Sequence, residues 1–180
     1  MARLFTIAEI VEATGGRPEG VSSDGVCSIP IDSRDIPPDA LFVAIRGERS
    51  ALDNGAVAAL VSREKAVDLG DRLIVVPDAL EGLVDLARFA RARMGGKVVA
   101  VTGSAGKTTT KEAIRAVLSA AGQTHASIRS FNNHWGVPLV LARMPREARF
   151  GVFEIGMNHA GEITPLTLLV RPHIAVITTV

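Results

Sequence analysis

The sequence predicts an α/β protein: a small N-terminal α/β domain, followed by part of a domain built on a mostly parallel sheet. Three observations carry that prediction. Short apolar runs bounded by Pro, Gly, Asp or Ser alternate with segments of helical spacing. Val98-Val99-Ala100-Val101 is apolar on both faces, as in a strand buried inside a parallel sheet. That strand runs directly into a Gly-rich loop and then into a helix, and strand–helix alternation over the rest of the chain implies an open sheet with right-handed crossovers.

Taken in order, Thr6 is placed to cap a helix, with Glu9 three residues later as its capping-box partner and Gly15-Gly16 as its stop. Residues 26–31, 41–45, 56–61 and 73–76 read as short strands, although the alanines of 56–61 suit a helix equally well. Asp78 caps a helix through Met94, with Leu80, Leu83, Val84, Ala87 and Ala90 or Arg91 at helical spacing, and Gly95-Gly96 ends it. After the strand at 98–101, a helix is expected over 107–121, stopped by Gly122. A strand at 124–128, a helix at 137–143, a strand at 152–155, a helix at 163–170 and a strand at 174–179 follow.

The change of texture near residue 95 divides the chain into domains at 1–95 and 96–180. The second part is short for a domain and ends on an apolar strand, so the chain reads as truncated. Within 180 residues, a 47% hydrophobic and 22% charged composition supports a packed core. A net charge of +1 offers no global field for nucleic acid or an anionic membrane. Six Phe, one Trp and no Tyr provide no stacking platform for single strands. The N-terminus, interrupted by Glu9 and Glu12, does not read as a signal peptide, and no apolar run approaches the roughly 20 residues that span a bilayer. Cys27, the single cysteine, has no disulfide partner in the chain and reads as a packing residue inside an apolar strand. A cytoplasmic protein is the expectation.

The loop Gly103-Ser104-Ala105-Gly106-Lys107-Thr108 has the composition of a phosphate cradle. Gly103 and Gly106 allow successive backbone N–H groups to converge, Lys107 supplies charge for β and γ phosphates, and Thr108 supplies a hydroxyl for Mg²⁺. The helix N-terminus adds partial positive charge. The longer G-x-x-x-x-G-K-[ST] pattern wants glycine where Val101 stands, leaving the shorter G-x-x-G-K-T. A plain strand-to-helix turn is the alternative reading.

Glu154 ends a predicted buried strand, where an open sheet presents its ligand crevice, and a carboxylate there can hold Mg²⁺. Its alternative is a cap on the following turn. Asn158 and His159 follow in the same loop, candidates for substrate contact against a solvated loop histidine. Ser33 and Arg34 lie just past a strand, where they can bind a diphosphate or, with Asp32, fix a turn. Asn132 and Asn133 are by composition turn residues.

The segment from Thr102 to Glu112 resembles the phosphate loop of the Mur ligases, in the branch that adds D-alanyl-D-alanine. Four further stretches agree in order: Phe131-Asn132-Asn133-His134-Trp135-Gly136-Val137-Pro138-Leu139, Phe153 through Ile163, Pro172 through Thr178, and Ile31-Asp32-Ser33-Arg34 with Leu41 through Glu48. The resemblance implies ATP and Mg²⁺ as cofactors. Gly103, Ser104, Ala105, Gly106, Lys107, Thr108, Thr109, Asn132 and Asn133 would then bind ATP, Thr108 and Glu154 the metal, and Lys107 and Glu154 would be catalytic. Ser33, Arg34, Asn158 and His159 would contact substrate. It implies UDP-MurNAc-tripeptide and D-alanyl-D-alanine as substrates, joined through an acyl phosphate, with no nucleic acid and no membrane insertion. One departure stands out: an Asp-Gly-His stretch expected soon after Gly47-Glu48 is missing, which bears on UDP-substrate binding. The family's later metal-binding histidine, modified lysine, adenine contacts and C-terminal domain would lie past Val180, so these residues alone are expected to lack turnover. Another Mur-type ligase, a folylpolyglutamate synthase relative and a non-catalytic nucleotide-binding remnant remain open; a regulatory GTPase would need an Asn-Lys-x-Asp motif that the 180 residues lack.

Overall fold

A computed structural model describes residues 2–45, 50–67, 69–128, 131–157 and 159–179. The chain forms two compact units, residues 1–86 and 87–180. The first holds β1 (Phe5–Thr6), α1 (Ile7–Thr14), β2 (Arg17–Glu19), β3 (Gly25–Val26), β4 (Leu41–Val43), α2 (Ser50–Asp53), β5 (Ala58–Ser62), α3 (Arg63–Ala66) and β6 (Leu73–Val76). The helix α4 (Ala79–Arg93) spans the division.

α1 forms as its caps dictate: the Thr6 hydroxyl accepts from the Glu9 N–H at 3.1 Å, and the Glu9 carboxylate accepts from the Thr6 N–H at 2.8 Å. The Gly15 N–H closes the helix on the Val11 carbonyl. A four-stranded sheet has the order β2-β6-β5-β4, parallel except for β2, which runs antiparallel to β6. One face packs Phe42, Ala59, Val61 and Leu73 against Ala51, Leu52 and Ala56. The alanines of β5 take strand geometry because β4 and β6 flank them on both sides, and tertiary pairing outweighs their helical preference.

The expected strand over 26–31 is corrected to the two residues of β3, paired with β1, and an isolated bridge between Ser28 and Ala40. Pro30 has no N–H to continue a ladder. Cys27 accordingly lies beyond the strand and is half-buried rather than sealed in a core. Residues 46–49, which carry Gly47-Glu48 and adjoin the missing stretch, lie outside the described residues.

The second unit holds β7 (Lys97–Thr102), α5 (Lys107–Ala121), β8 (Thr124–Ala126), α6 (Gly136–Ala142), β9 (Phe150–Glu154), α7 (Ile163–Val170) and β10 (Ile174–Ile177). Its sheet is wholly parallel, in the order β10-β7-β9-β8. Val99, Val101 and Val152 face Ile114 and Leu118 of α5. On the opposite face, His125 of β8 meets the Phe153 ring and the Val140 carbonyl of α6, and α6 packs with α7. Burial holds the His125 pKa below its usual value.

This wiring places a crevice. The connection from β7 runs through α5 on one face and passes β9 to reach β8, whereas the connection from β9 runs through α7 on the other face and passes β7 to reach β10. Adjacent strands whose outgoing helices lie on opposite faces define a topological switch point, and ligands bind beyond the strand ends there. Beyond β7 comes the Gly-rich loop; at the end of β9 stands Glu154. Among the described residues no helix is long and apolar enough to cross a membrane.

Candidate phosphate and metal site

The loop after β7 is curled, not extended. Gly106 sits at φ 79°, and Gly103 at φ 137°, where a Cβ would collide with the Thr178 hydroxyl and the Thr179 carbonyl. Those two threonines brace the loop from the end of β10. Thr179 accepts the Ser104 N–H on its carbonyl at 2.8 Å and the Ala105 N–H on its hydroxyl at 3.1 Å. Thr178 donates its hydroxyl to the Thr102 carbonyl at 3.2 Å and to Ala105. The Ser104 and Ala105 amides are therefore spent on loop shape. At the start of α5, the N–H groups of Gly106, Lys107, Thr108 and Thr109 meet no acceptor among the described residues. These four donors form the anion-facing end of the helix.

Lys107 folds across the loop, its ammonium 2.7 Å from the Gly103 carbonyl and 3.4 Å from that of Ser104. Both partners are neutral, so a phosphate oxygen would compete for the ammonium with a stronger, charge-assisted bond.

Glu154 lies beside Val101 in the sheet register and is only 1% exposed. One carboxylate oxygen accepts the Thr108 hydroxyl at 2.9 Å, and the other accepts the Asn132 amide at 2.9 Å. Among the described residues no Lys, Arg or His pairs with it. A buried carboxylate served only by neutral donors lacks the positive charge that normally offsets its desolvation. Thr108 Oγ1 and Glu154 Oε2 are hard oxygen donors at the mouth of the phosphate loop, and Mg²⁺ is held by one or two such oxygens together with phosphate. The donor set fits that ion. No group of three or more His, Cys, Asp or Glu that could cage a metal occurs among the described residues.

Asn132 is pinned by its own backbone, which accepts the Gly156 N–H at 2.8 Å, and a Cβ on Gly156 would strike its amide. Asn133 points elsewhere: its side chain accepts the Gly136 N–H at 2.8 Å and starts α6. The Phe131 and Trp135 rings, 5.4 Å apart, pack across the same turn.

Known proteins resemble this chain in sequence and in fold. Residues 101–180 match the Mur ligase middle domain. Over those residues the chain is similar to the Mur ligase family. The UDP-N-acetylmuramoyl-tripeptide–D-alanyl-D-alanine ligase of Rickettsia prowazekii is 36% identical over 156 residues, which is 83% of this chain and 35% of that protein. The same-named ligase of Escherichia coli is 36% identical over 182 residues, 96% of this chain and 39% of its own length. In structure, the UDP-N-acetylmuramoylalanyl-D-glutamyl-2,6-diaminopimelate–D-alanyl-D-alanyl ligase of Acinetobacter baumannii superposes with a TM-score of 0.82 at 32% identity, covering 96% of this chain and 41% of the other. The chain thus spans about two fifths of the length of the curated relatives it matches.

The remaining candidates have other partners. His159 is exposed at the approach to α7, its N–H donating to the Glu162 carboxylate at 3.3 Å, while Asn158 lies outside the described residues. In the first unit Ser33 is buried, and its carbonyl accepts the Asn54 amide at 2.7 Å. Arg34 grips Asp32 with two side-chain bonds of 2.8 and 2.7 Å, and this guanidinium, together with the Arg34 N–H, holds the Asp32 pKa down at about 2. The turn-forming geometry of Asp32 is therefore present whether or not Arg34 also meets a ligand. Sequence reasoning gave no individual role to Thr178, Thr179, Gly156, Ser127 or Lys111, although Thr178, Gly156 and Lys111 lie within the stretches that carry the resemblance. None of the five gives a periodic signal, and only the fold shows what each one meets.

Proposed function

We propose that this chain supplies the ATP-binding part of an amide ligase of peptidoglycan precursor synthesis, with residues 1–95 acting as the substrate-nucleotide domain and 96–180 as the first part of the ATP-binding domain. The reaction joins D-alanyl-D-alanine to UDP-MurNAc-tripeptide in the cytoplasm. The observation that carries the reading is the convergence, at the switch point between β7 and β9, of a braced phosphate loop and a buried carboxylate that has no cationic partner among the described residues. The substrate pair is that named for the ligases of Rickettsia prowazekii and Escherichia coli.

On this reading the terminal carboxylate of the tripeptide attacks the γ-phosphorus of ATP. The bond from phosphorus to the bridging oxygen breaks, leaving ADP and an acyl phosphate. The amine of D-alanyl-D-alanine then attacks the acyl carbon, phosphate departs with the C–O bond pair, and the amine proton is lost. The free N–H groups of 106–109 and the Lys107 ammonium hold the β and γ phosphates and offset charge that builds on them. Mg²⁺, held by Thr108 and Glu154, would neutralise phosphate oxygens as a Lewis acid. Asn132 fixes the Glu154 carboxylate in place.

Calorimetric titration with ATP–Mg²⁺ tests the loop directly. Lys107→Ala is expected to weaken binding by about tenfold or more, the loss of one charge-assisted phosphate contact. Equal affinity in the two proteins would remove the chemical basis of the proposal.

A further inference from the structure

Lys111 is the one fully buried lysine of the described core, at 0% exposure, and neither the phosphate chemistry nor the metal pair uses it. It stands one turn after Lys107 on α5, yet its side chain turns inward. The ammonium donates to the Ser127 carbonyl at 2.7 Å and lies 3.0 Å from a Glu112 carboxylate oxygen. Desolvating an ammonium is costly, and an apolar side chain of the same length would fill the space without that cost. The cost has a structural counterpart in Ser127. That residue, 2% exposed just past β8, accepts the Glu154 backbone N–H on its hydroxyl at 3.1 Å and donates its own N–H to Val152 at 3.0 Å.

Three elements thus meet at one buried point. α5 carries Lys107 and Thr108, the end of β9 carries Glu154, and Ser127 stands just past β8. A shift of Ser127 would move the Glu154 backbone relative to Thr108, and the two oxygens offered to a metal would separate. We infer that Lys111 is a positioning residue: through Ser127 it sets the spacing between the Glu154 carboxylate and the Thr108 hydroxyl, without touching nucleotide itself. This inference rests on the nucleotide-binding reading above.

The test compares Lys111→Met and Ser127→Ala with the wild type, using ATP in the presence of Mg²⁺ and ATP with the metal chelated. Lys111→Met is expected to weaken ATP–Mg²⁺ binding about tenfold while changing metal-free binding less than about twofold, because Lys107 and the loop amides remain. Ser127→Ala, which keeps the carbonyl and loses only the hydroxyl, should give a smaller shift of the same kind. Independently of nucleotide, both variants should speed hydrogen exchange at the Glu154 amide. Equal losses with and without metal, or no loss in either, would overturn the inference, and so would unchanged exchange at Glu154. If Lys111→Met does not fold, the Ser127→Ala pair of titrations decides by the same criteria. A wild type that binds no ATP sinks the nucleotide reading and this inference with it, whereas a wild type that binds beside insensitive variants sinks only the inference.

Discussion

Asp32 and Arg34 close an exposed turn on each other. The guanidinium makes two bonds to the carboxylate, and the Arg34 N–H makes a third at 3.0 Å, so the ionised form is favoured and its pKa falls from the ordinary 3.8 to about 2. A depressed carboxylate stabilises the fold above its ordinary pKa and loses that contribution as pH falls from about 4 toward 2. Because the pair is exposed and screened, the effect belongs to the local turn. If Arg34 binds the diphosphate of a UDP sugar, it must loosen its hold on Asp32, and the Asp32 pKa should climb back toward 3.8. A carbon-detected NMR titration with and without UDP-MurNAc-tripeptide measures this; an Asp32 pKa indifferent to saturating ligand would leave Arg34 a turn residue only. At this scale the sequence made Lys107, Thr108 and Glu154 legible, because a short motif behind a buried strand dictates where each must sit. It did not make Ser127 or Lys111 legible. A lysine on an amphipathic helix is normally solvent-facing, and nothing local says that this one turns inward.

Among the elements, α4 depends most visibly on a single cap. Asp78 accepts the N–H groups of Leu80 and Glu81 at 2.8 and 2.9 Å, satisfying two of the donors that a helix start leaves open and placing negative charge at its positive end. Asp78→Ala should therefore cost about 1 kcal/mol, read as a lower urea midpoint at unchanged slope. An unaltered midpoint would mean that solvent satisfies those groups equally well. Elements with strong punctuation of this kind were readable in advance. α1 has its capping box and α5 lies between Gly106 and Gly122. The buried stripe of α4 runs through Ala79, Leu83, Leu86, Ala87 and Ala90, rotated slightly from the expected face because Gly82 lets Leu60 approach the helix. The two-residue β1, the polar β2 and the four-residue α2 and α3 could not be read this way. Each is too short to show a period, and each is fixed by a neighbour distant in sequence, as β2 is by β6.

Over the whole molecule, protection against unfolding should follow the wiring of the second sheet. β7 has a partner strand on each side, helices over each face, and Val98 and Val101 at 0% exposure. Among the described residues β10 has one neighbour, β7, and it exposes Ile174 at 57% and Ile177 at 64%. An edge strand leaves half of its backbone groups facing solvent, while central strands open only with global unfolding. Because Thr178 and Thr179 follow β10 and brace the phosphate loop, an exposed edge strand helps to shape the site. Native-state hydrogen exchange on the 180-residue chain should find the amides of residues 98–102 slower than those of 174–177 by about an order of magnitude or more. Saturating ATP–Mg²⁺ should narrow the gap, since ligand that binds only the curled loop stabilises the threonines holding it. Equal protection of β7 and β10 at low protein concentration would mean that the edge is covered, and that loop shape is set by something other than this exposed strand.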